Sequence, residues 1–394
     1  MLRAWNLETF RNRLLKSGML DQDADFQKAS GAWAALCYKA EMEAAIRTKG
    51  LAGFQLLDLQ DFPGQGTALV GILDAFMDSK NIISNEEWLQ SCNDVVLILE
   101  FSKYCWTTKE KFHAEVKVAN YSDHSLNKGL NWEIKNQNGN VIQKGTFPNF
   151  SIEKGEITAV GEMEVNFSSL KKTEKLNVYI SMPGTTYTNS YPVWVYAHST
   201  KITVSKDIVV SEVFNEEILM KLQKGAKVLL FPKTKDVQDK SFPGLFPPEF
   251  WNYGMFKGIS EWTKKPVSPG TLGILTNPGH PLFNYFPTDF HTNWQWFSII
   301  KASNSFNLDN TSEEYKPIVQ VIDNLERNHK LGLIFEFKVG SGKILVCMSQ
   351  LNQIIDKPEA VQLYQSMIKY MDSADFSPDY EINHEELKRL FTKK

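Results

Sequence analysis

Cysteine is scarce. Cys37, Cys92, Cys105 and Cys347 are the four in 394 residues, and none stand in a C-x-x-C spacing. A thiolate zinc site or a disulfide framework is therefore not expected, although Cys92 and Cys105 could pair if the chain between them folds back. Basic charge is not in excess: 43 Lys and Arg against 46 Asp and Glu leave a formal charge of -3, so no nucleic-acid partner is expected. No apolar run approaches the roughly 18 residues of a membrane span. Met1–Asn6 has neither an apolar signal core nor a cleavage site. No cofactor motif is present either, because Gly340-Ser-Gly342 is too short for a phosphate loop and reads as a hairpin turn. What is abundant is aromatic: 25 Phe and 10 Trp. Such a content suits sugar-stacking surfaces and sandwich cores equally well.

The chain changes period twice. Residues 5–48 read as helical, with Asn6 as an N-cap and Leu7, Phe10, Leu14 and Leu15 on one face. A second, longer helix is capped by Asp21 or Asp23, and in it Phe26, Ala29, Trp33, Leu36, Cys37, Ala40 and Ala44 fall near helical spacing. Glu41 and Glu43 lie two apart, point to different faces and read as surface or helix-end charges. A short strand at residues 54–59 and a helix from Thr67 to Met77 follow, half of a βα unit. Ser84 then caps a short helix, with Glu87 at capping-box spacing. One strand cannot bury itself, so residues 1–93 either pack on something later in the chain or are the tail of a larger α/β domain. From Val95 to Tyr196, about seven alternating segments with an Asn138-Gly139 turn predict an immunoglobulin-like β-sandwich over 94–198. Residues 199–373 return to α/β character. The expected strands lie at 207–210, 226–231, 318–322, 331–337 and 343–347, the closing helix at 358–370, and a charged tail, frayed or a peripheral helix, at 374–394.

Chemistry-bearing side chains gather in two places. The tip of the 54–59 strand carries Gln55, Asp58, Gln60, Asp61 and Gln65, which suits hydrogen bonding to a polyhydroxylated ligand; the alternative is capping of the next helix. Asp58 and Asp61 lie roughly 10 Å apart along an extended chain and on opposite faces. That is a poor acid–base dyad, since glycosidases hold two carboxylates on one bond. The second place is His280–Trp296, where His291, Trp294 and Trp296 could stack on a sugar. The alternative there is a loop packed by its own aromatics. Its two histidines lack metal-ligand spacing. A hydrolase using His291 with Asp289 or Asp323 lacks a placed nucleophile, because Cys347 sits inside an apolar strand.

The segments YKAEMEAAIR (38–47) and GFQLLDLQDFPGQGTALVGILDAF (53–76) resemble the end of the catalytic barrel in glycoside hydrolase family 2. The likeness is to the large multidomain, β-galactosidase-like members of Bacteroidetes type. Stretches resembling His280–Phe283, Asn293–Trp296, Pro317–Asp323 and Leu331–Glu336 occur in a C-terminal domain of similar proteins, a glutamine-amidotransferase-like α/β fold without its cysteine pattern. The resemblance implies a multidomain α/β plus β chain. Residues 1–93 would be the end of a partial (β/α)8 barrel, 94–198 the sandwich and 199–373 the amidotransferase-like domain. It implies retaining hydrolysis of a β-linked sugar by two glutamates that lie before the eighth strand. If residues 54–59 are that strand, this chain is a C-terminal fragment, inactive alone, that acts with a missing N-terminal half or as a homo-oligomer. Leu56 and Leu57 stand where the family often has a sugar-binding aromatic. No metal or cofactor is implied. Similar enzymes act outside the cytoplasm. The alternative function is a non-catalytic carbohydrate-binding or assembly module.

Overall fold

Helical periodicity at the N-terminus yields α1 (Trp5–Lys16) and α2 (Asp23–Arg47) in the computed structural model. The structure describes residues 3, 5–57, 59–62, 64, 69–197, 202–248 and 252–391. They fall into two compact units, one of residues 1–33, 60–71 and 201–394, the other of 34–59 and 72–200. Residues 1–93 are thus not a unit by themselves, and their apolar side chains are divided between two cores. Leu14, Met19, Phe26 and Ala29 pack with Ile322 in the first unit, and Ile46 packs with Val96, Ile98 and Ala119 in the second. Buried amides reinforce the first of these contacts, with Gln22 Nε2 donating to Gln320 Oε1 at 2.8 Å.

The described residues of 54–77 form neither the expected strand nor the expected helix, residues 58, 63 and 65–68 lying outside them, and no sheet among the described residues closes into a barrel. A strand needs a neighbour to take its N–H and C=O groups. Here the described backbone groups bond outside any sheet: Leu73 N to Leu59 O at 3.1 Å, Asp74 N to Asp78 O at 2.8 Å and Lys80 N to Ile72 O at 3.3 Å, beside an isolated bridge between Leu73 and Ser79. The described residues from 69 to 80 are not helical, and Met77 takes a left-handed φ of 70°. Beyond them α3 (Asn85–Trp88) carries the expected capping box, with Ser84 and Glu87 each bonding the other's backbone N–H.

The alternating segments form eight strands: β1 (Val95–Glu100), β2 (Cys105–Thr107), β3 (Lys111–Asn120), β4 (Leu126–Asn136), β5 (Val141–Ile152), β6 (Glu156–Asn166), β7 (Glu174–Ser181) and β8 (Thr188–Tyr196). One sheet has the order β1-β3-β6 and the other β2-β8-β7-β4-β5. All pairs are antiparallel except β2 with β8. Phe112, Val116, Leu130, Ile134, Val165, Val178 and Val193 from the two sheets meet in one core. The three-residue strand β2 is too short to show an alternation.

The other unit is built on a mixed sheet. β9 (Ile208–Ser211), α4 (Glu216–Gln223) and β10 (Lys227–Leu230) form a βαβ unit with parallel strands. After α5 (Thr234–Val237) come β11 (Ser241–Pro243), α6 (Tyr253–Trp262), β12 (Ile274–Thr276), α7 (Phe297–Lys301), β13 (Asn304–Asn307), β14 (Val319–Val321), β15 (Leu331–Val339), β16 (Gly342–Cys347), α8 (Pro358–Asp372) and α9 (His384–Phe391). The order is β11-β13-β15-β16-β10-β9, with β14 pairing both β15 and β12. Of the two forms expected for the tail, its described residues take the helical one. Leu387, Leu390 and Phe391 of α9 are buried, and the Phe391 ring lies 5.3 Å from Phe306.

Candidate functional site

Of the five side chains expected at a strand tip, three lie among the described residues. Gln55 and Gln60 are exposed, while Asp58 and Gln65 lie outside the described residues. Asp61 is buried, and its Oδ1 accepts the backbone N–H of Gly71 at 3.0 Å. The loop closes so tightly that a Cβ on Gly71 would stand 2.4 Å from the Gln60 carbonyl carbon, which leaves glycine as the residue that fits. Asp61 is thus engaged with the backbone at Gly71.

The aromatic loop is held from within. His280 Nδ1 accepts from Leu282 N at 3.2 Å and Asn293 Oδ1 accepts from Gln295 N at 2.9 Å, so each caps a short 3-10 turn. Trp296 is fully buried between Phe283 and Phe286, and its Nε1 donates to Thr288 Oγ1 at 2.8 Å. It has no face left for a sugar, which corrects the stacking expectation for this residue. Trp294 is half-buried and edge-on to Trp33 at 5.3 Å. His291 Nδ1 donates to its neighbour's carbonyl, Thr292 O, at 2.7 Å, and Asp289 Oδ2 accepts from Asn293 Nδ2 at 2.8 Å. Replacing Trp296 by Phe is expected to cost about 1–2 kcal/mol, the value of a buried hydrogen bond whose partner is left unpaired. Urea unfolding would measure it.

A charged cluster that spacing alone hints at, Asp323 four residues before Arg327, joins two loops of the same unit. Asp323 accepts from Arg327 through Nε at 3.1 Å and Nη2 at 2.5 Å, and from His329 N at 3.0 Å. Arg327 also donates to Pro269 O and to the Tyr253 hydroxyl, and lies over the Phe242 ring at 4.4 Å. His329 Nδ1 meets Asp309 Oδ2 at 2.6 Å. That bond holds the imidazole above its ordinary pKa. Burial pushes Asp309 up, but the hydrogen bonds from His329 and Lys330 N outweigh it and leave the carboxyl below its ordinary value. Arg327 spends its donors on protein acceptors and so clamps these loops together.

On β15, Glu336 receives the Tyr370 hydroxyl at 2.9 and 3.1 Å. Burial pushes its carboxyl up to about 7, the nearby Asp379 charge adds to this, and the Tyr370 hydrogen bond and Lys343 oppose it. Cys347 is buried in β16 and its thiol is pushed up to about 12 by that burial, which makes it a core residue and not a nucleophile. The four cysteines are free. Among the described residues no group of three His, Cys, Asp or Glu is placed to hold a metal ion, and no helix is long and apolar enough to cross a membrane.

Residues 209–392 match a family described as a domain of unknown function (DUF8487), and residues 110–197 match another, also a domain of unknown function (DUF8488). No curated protein matches the chain. Solved structures with local likeness include the Pseudomonas fluorescens alkylpurine DNA glycosylase AlkC bound to DNA containing an abasic site analog, at 14% identity, TM-score 0.22, over 29% of this chain and 34% of that one. A family 123 glycoside hydrolase from Clostridium perfringens matches at 8% identity and TM-score 0.21, over 34% of this chain and 32% of that one. Bacteroides uniformis beta-glucuronidase 2, covalently bound to cyclophellitol-6-carboxylate aziridine, matches at 13% identity and TM-score 0.19, over 36% of this chain and 21% of that one. The chain spans about a third or less of these proteins, and likenesses this slight carry no argument about fold or function. The two matched domains of unknown function are what the chain is similar to over most of its sandwich and its mixed sheet.

Proposed function

We propose that the chain serves as the C-terminal, non-catalytic part of a glycoside hydrolase of family 2 type that acts on β-linked carbohydrate. The observation that carries this reading is the likeness of residues 53–76 to the end of that family's barrel, together with the exposure of their apolar side chains. Leu57 is 77% exposed, Phe76 84% and Phe62 55%. A stretch this rich in large apolar groups is costly to leave in water. Burial against the rest of a barrel would remove that cost. In this reading the two glutamates that act as acid/base and nucleophile belong to that barrel, and Gln55 and Gln60, exposed here, stand near the sugar at its rim. The mixed sheet is the amidotransferase-like appendage. Its one cysteine, Cys347, is buried and un-ionised. Such an enzyme would work outside the cytoplasm.

The test is turnover of a panel of aryl β-glycosides by the purified chain, with Asp61→Asn as control. No turnover above the uncatalysed rate is expected. Hydrolysis by the chain alone, lost in the control, overturns the reading. The same chain should associate with a family 2 barrel supplied in trans, as read by analytical ultracentrifugation. Leu57→Asp with Phe76→Asp should abolish that association.

A further inference from the structure

We infer that the outer face of the β4–β5 hairpin carries a binding groove for a neutral, hydroxyl-rich ligand, a mono- or disaccharide. A cavity of about 310 Å³ opens there, lined by Asn127, Lys128, Gly129, Asn131, Asn149 and Pro183 among its residues. All these residues belong to the sandwich unit. The groove is made by a break in the ladder. Lys128 pairs with Phe150 and Leu130 with Phe147, so Gly129 alone faces the two residues Pro148 and Asn149. A bulge of this kind re-aims the side chain that it carries. A Cβ on Gly129 would lie 2.5 Å from the Phe147 carbonyl oxygen and 3.1 Å from Asn149 Oδ1, so glycine makes the floor over which the Asn149 amide reaches.

Local preferences are broken repeatedly within this one spot. Asparagine is disfavoured in strands, yet Asn127, Asn131 and Asn149 all lie in them. Glycine and proline are disfavoured there as well, yet Gly129 and Pro148 meet at the bulge. Local choices that contradict the element they sit in are expected where a site is served, not where a fold is. Asn127 and Asn131 stand at alternate positions with Gly129 between them, on one face of β4. The side chains of Asn127, Asn131 and Asn149 are exposed at the groove, and their amides make no hydrogen bond to the protein among the described residues. An amide both donates and accepts, which matches the paired donor and acceptor of adjacent sugar hydroxyls. Lys128 is the one charged side chain of the lining, with its Nζ beside the Gly184 turn, and the other polar side chains there are neutral amides, which suit hydroxyl groups. An open, shallow groove of this size predicts a dissociation constant of millimolar order.

The inference does not rest on the glycosidase reading, because a sugar groove serves a binding module as well as an enzyme's appendage. The test is titration of the full chain with lactose and cellobiose, read by the side-chain amide resonances of the asparagines. Saturable shifts confined to Asn127, Asn131 and Asn149 are expected. Asn131→Ala and Asn149→Asp should each weaken binding at least tenfold while the thermal midpoint and circular dichroism stay unchanged. Absence of saturable shifts at tens of millimolar sugar overturns the inference, as do shifts that persist in both variants. No barrel is present in this experiment, so its failure leaves the turnover test untouched.

Discussion

Replacing Glu43 by alanine is expected to destabilise the sandwich unit by about 3–5 kcal/mol, because it strands a buried lysine. Glu43 Oε1 lies 2.7 Å from Lys39 Nζ, one helical turn away on α2, and 2.9 Å from Asn189 Nδ2 on β8. Lys39 also donates to Asn189 Oδ1, and its ammonium lies 4.8 Å from the centre of the Tyr191 ring. The two charged side chains are only 18% and 6% exposed. Burial pulls Lys39 below its ordinary pKa, and the attraction of Glu43 opposes this without cancelling it. Without Glu43 the ammonium must lose its proton or draw in water. Urea unfolding followed through the sandwich transition would measure the cost. Lys39→Met combined with Glu43→Leu should recover all but about 1–2 kcal/mol, since an apolar pair of similar volume removes both desolvation penalties. A cost below about 1 kcal/mol for the single variant would mean that solvent screens the pair as it does at a surface.

Glu336→Gln should stabilise the mixed-sheet unit at pH 8 by about 2–3 kcal/mol and do nothing at pH 4.5. Burial lifts the folded carboxyl to about 7 from an ordinary value of 4.5. Between those values the folded protein holds a proton that the unfolded chain has released. The stabilisation by that proton is complete below pH 4.5 and is lost as pH rises through 7. Each tenfold difference in proton affinity between the folded and unfolded chain is worth about 1.4 kcal/mol, which sets the size of the effect. Glutamine keeps an acceptor for the Tyr370 hydroxyl and carries no charge to desolvate. Thermal unfolding at the two pH values would show several degrees of gain at pH 8 alone. An equal gain at both would place the cause in packing, not in the charge.

Much of the architecture is legible along the chain. Polar and apolar residues alternate through 111–120, and β3 occupies those ten positions. The capping box at Ser84 is visible because its two partners are three residues apart. Elements such as these follow from local sequence, since side-chain period and capping geometry act within a few residues.

Other features depend on what lies opposite in space. Residues 54–59 have a strand's composition, yet the described ones among them form none, because a strand exists only through a neighbour that takes its hydrogen bonds. Glu43 reads as a surface charge on a helix, and only the approach of Asn189, 146 positions later, makes it a buried one. Trp296 offers an aromatic face in sequence, and Phe283, Phe286 and Thr288 take that face up. The asparagine groove has no signature along the chain, because Gly129 and Asn149 become neighbours only where the pairing of β4 with β5 slips. Local order along the chain sets where helices and strands begin and which segments alternate. Long-range packing assigns which polar groups are spent on the fold and which remain for a ligand, because burial and pairing are properties of distant neighbours and not of the residue itself.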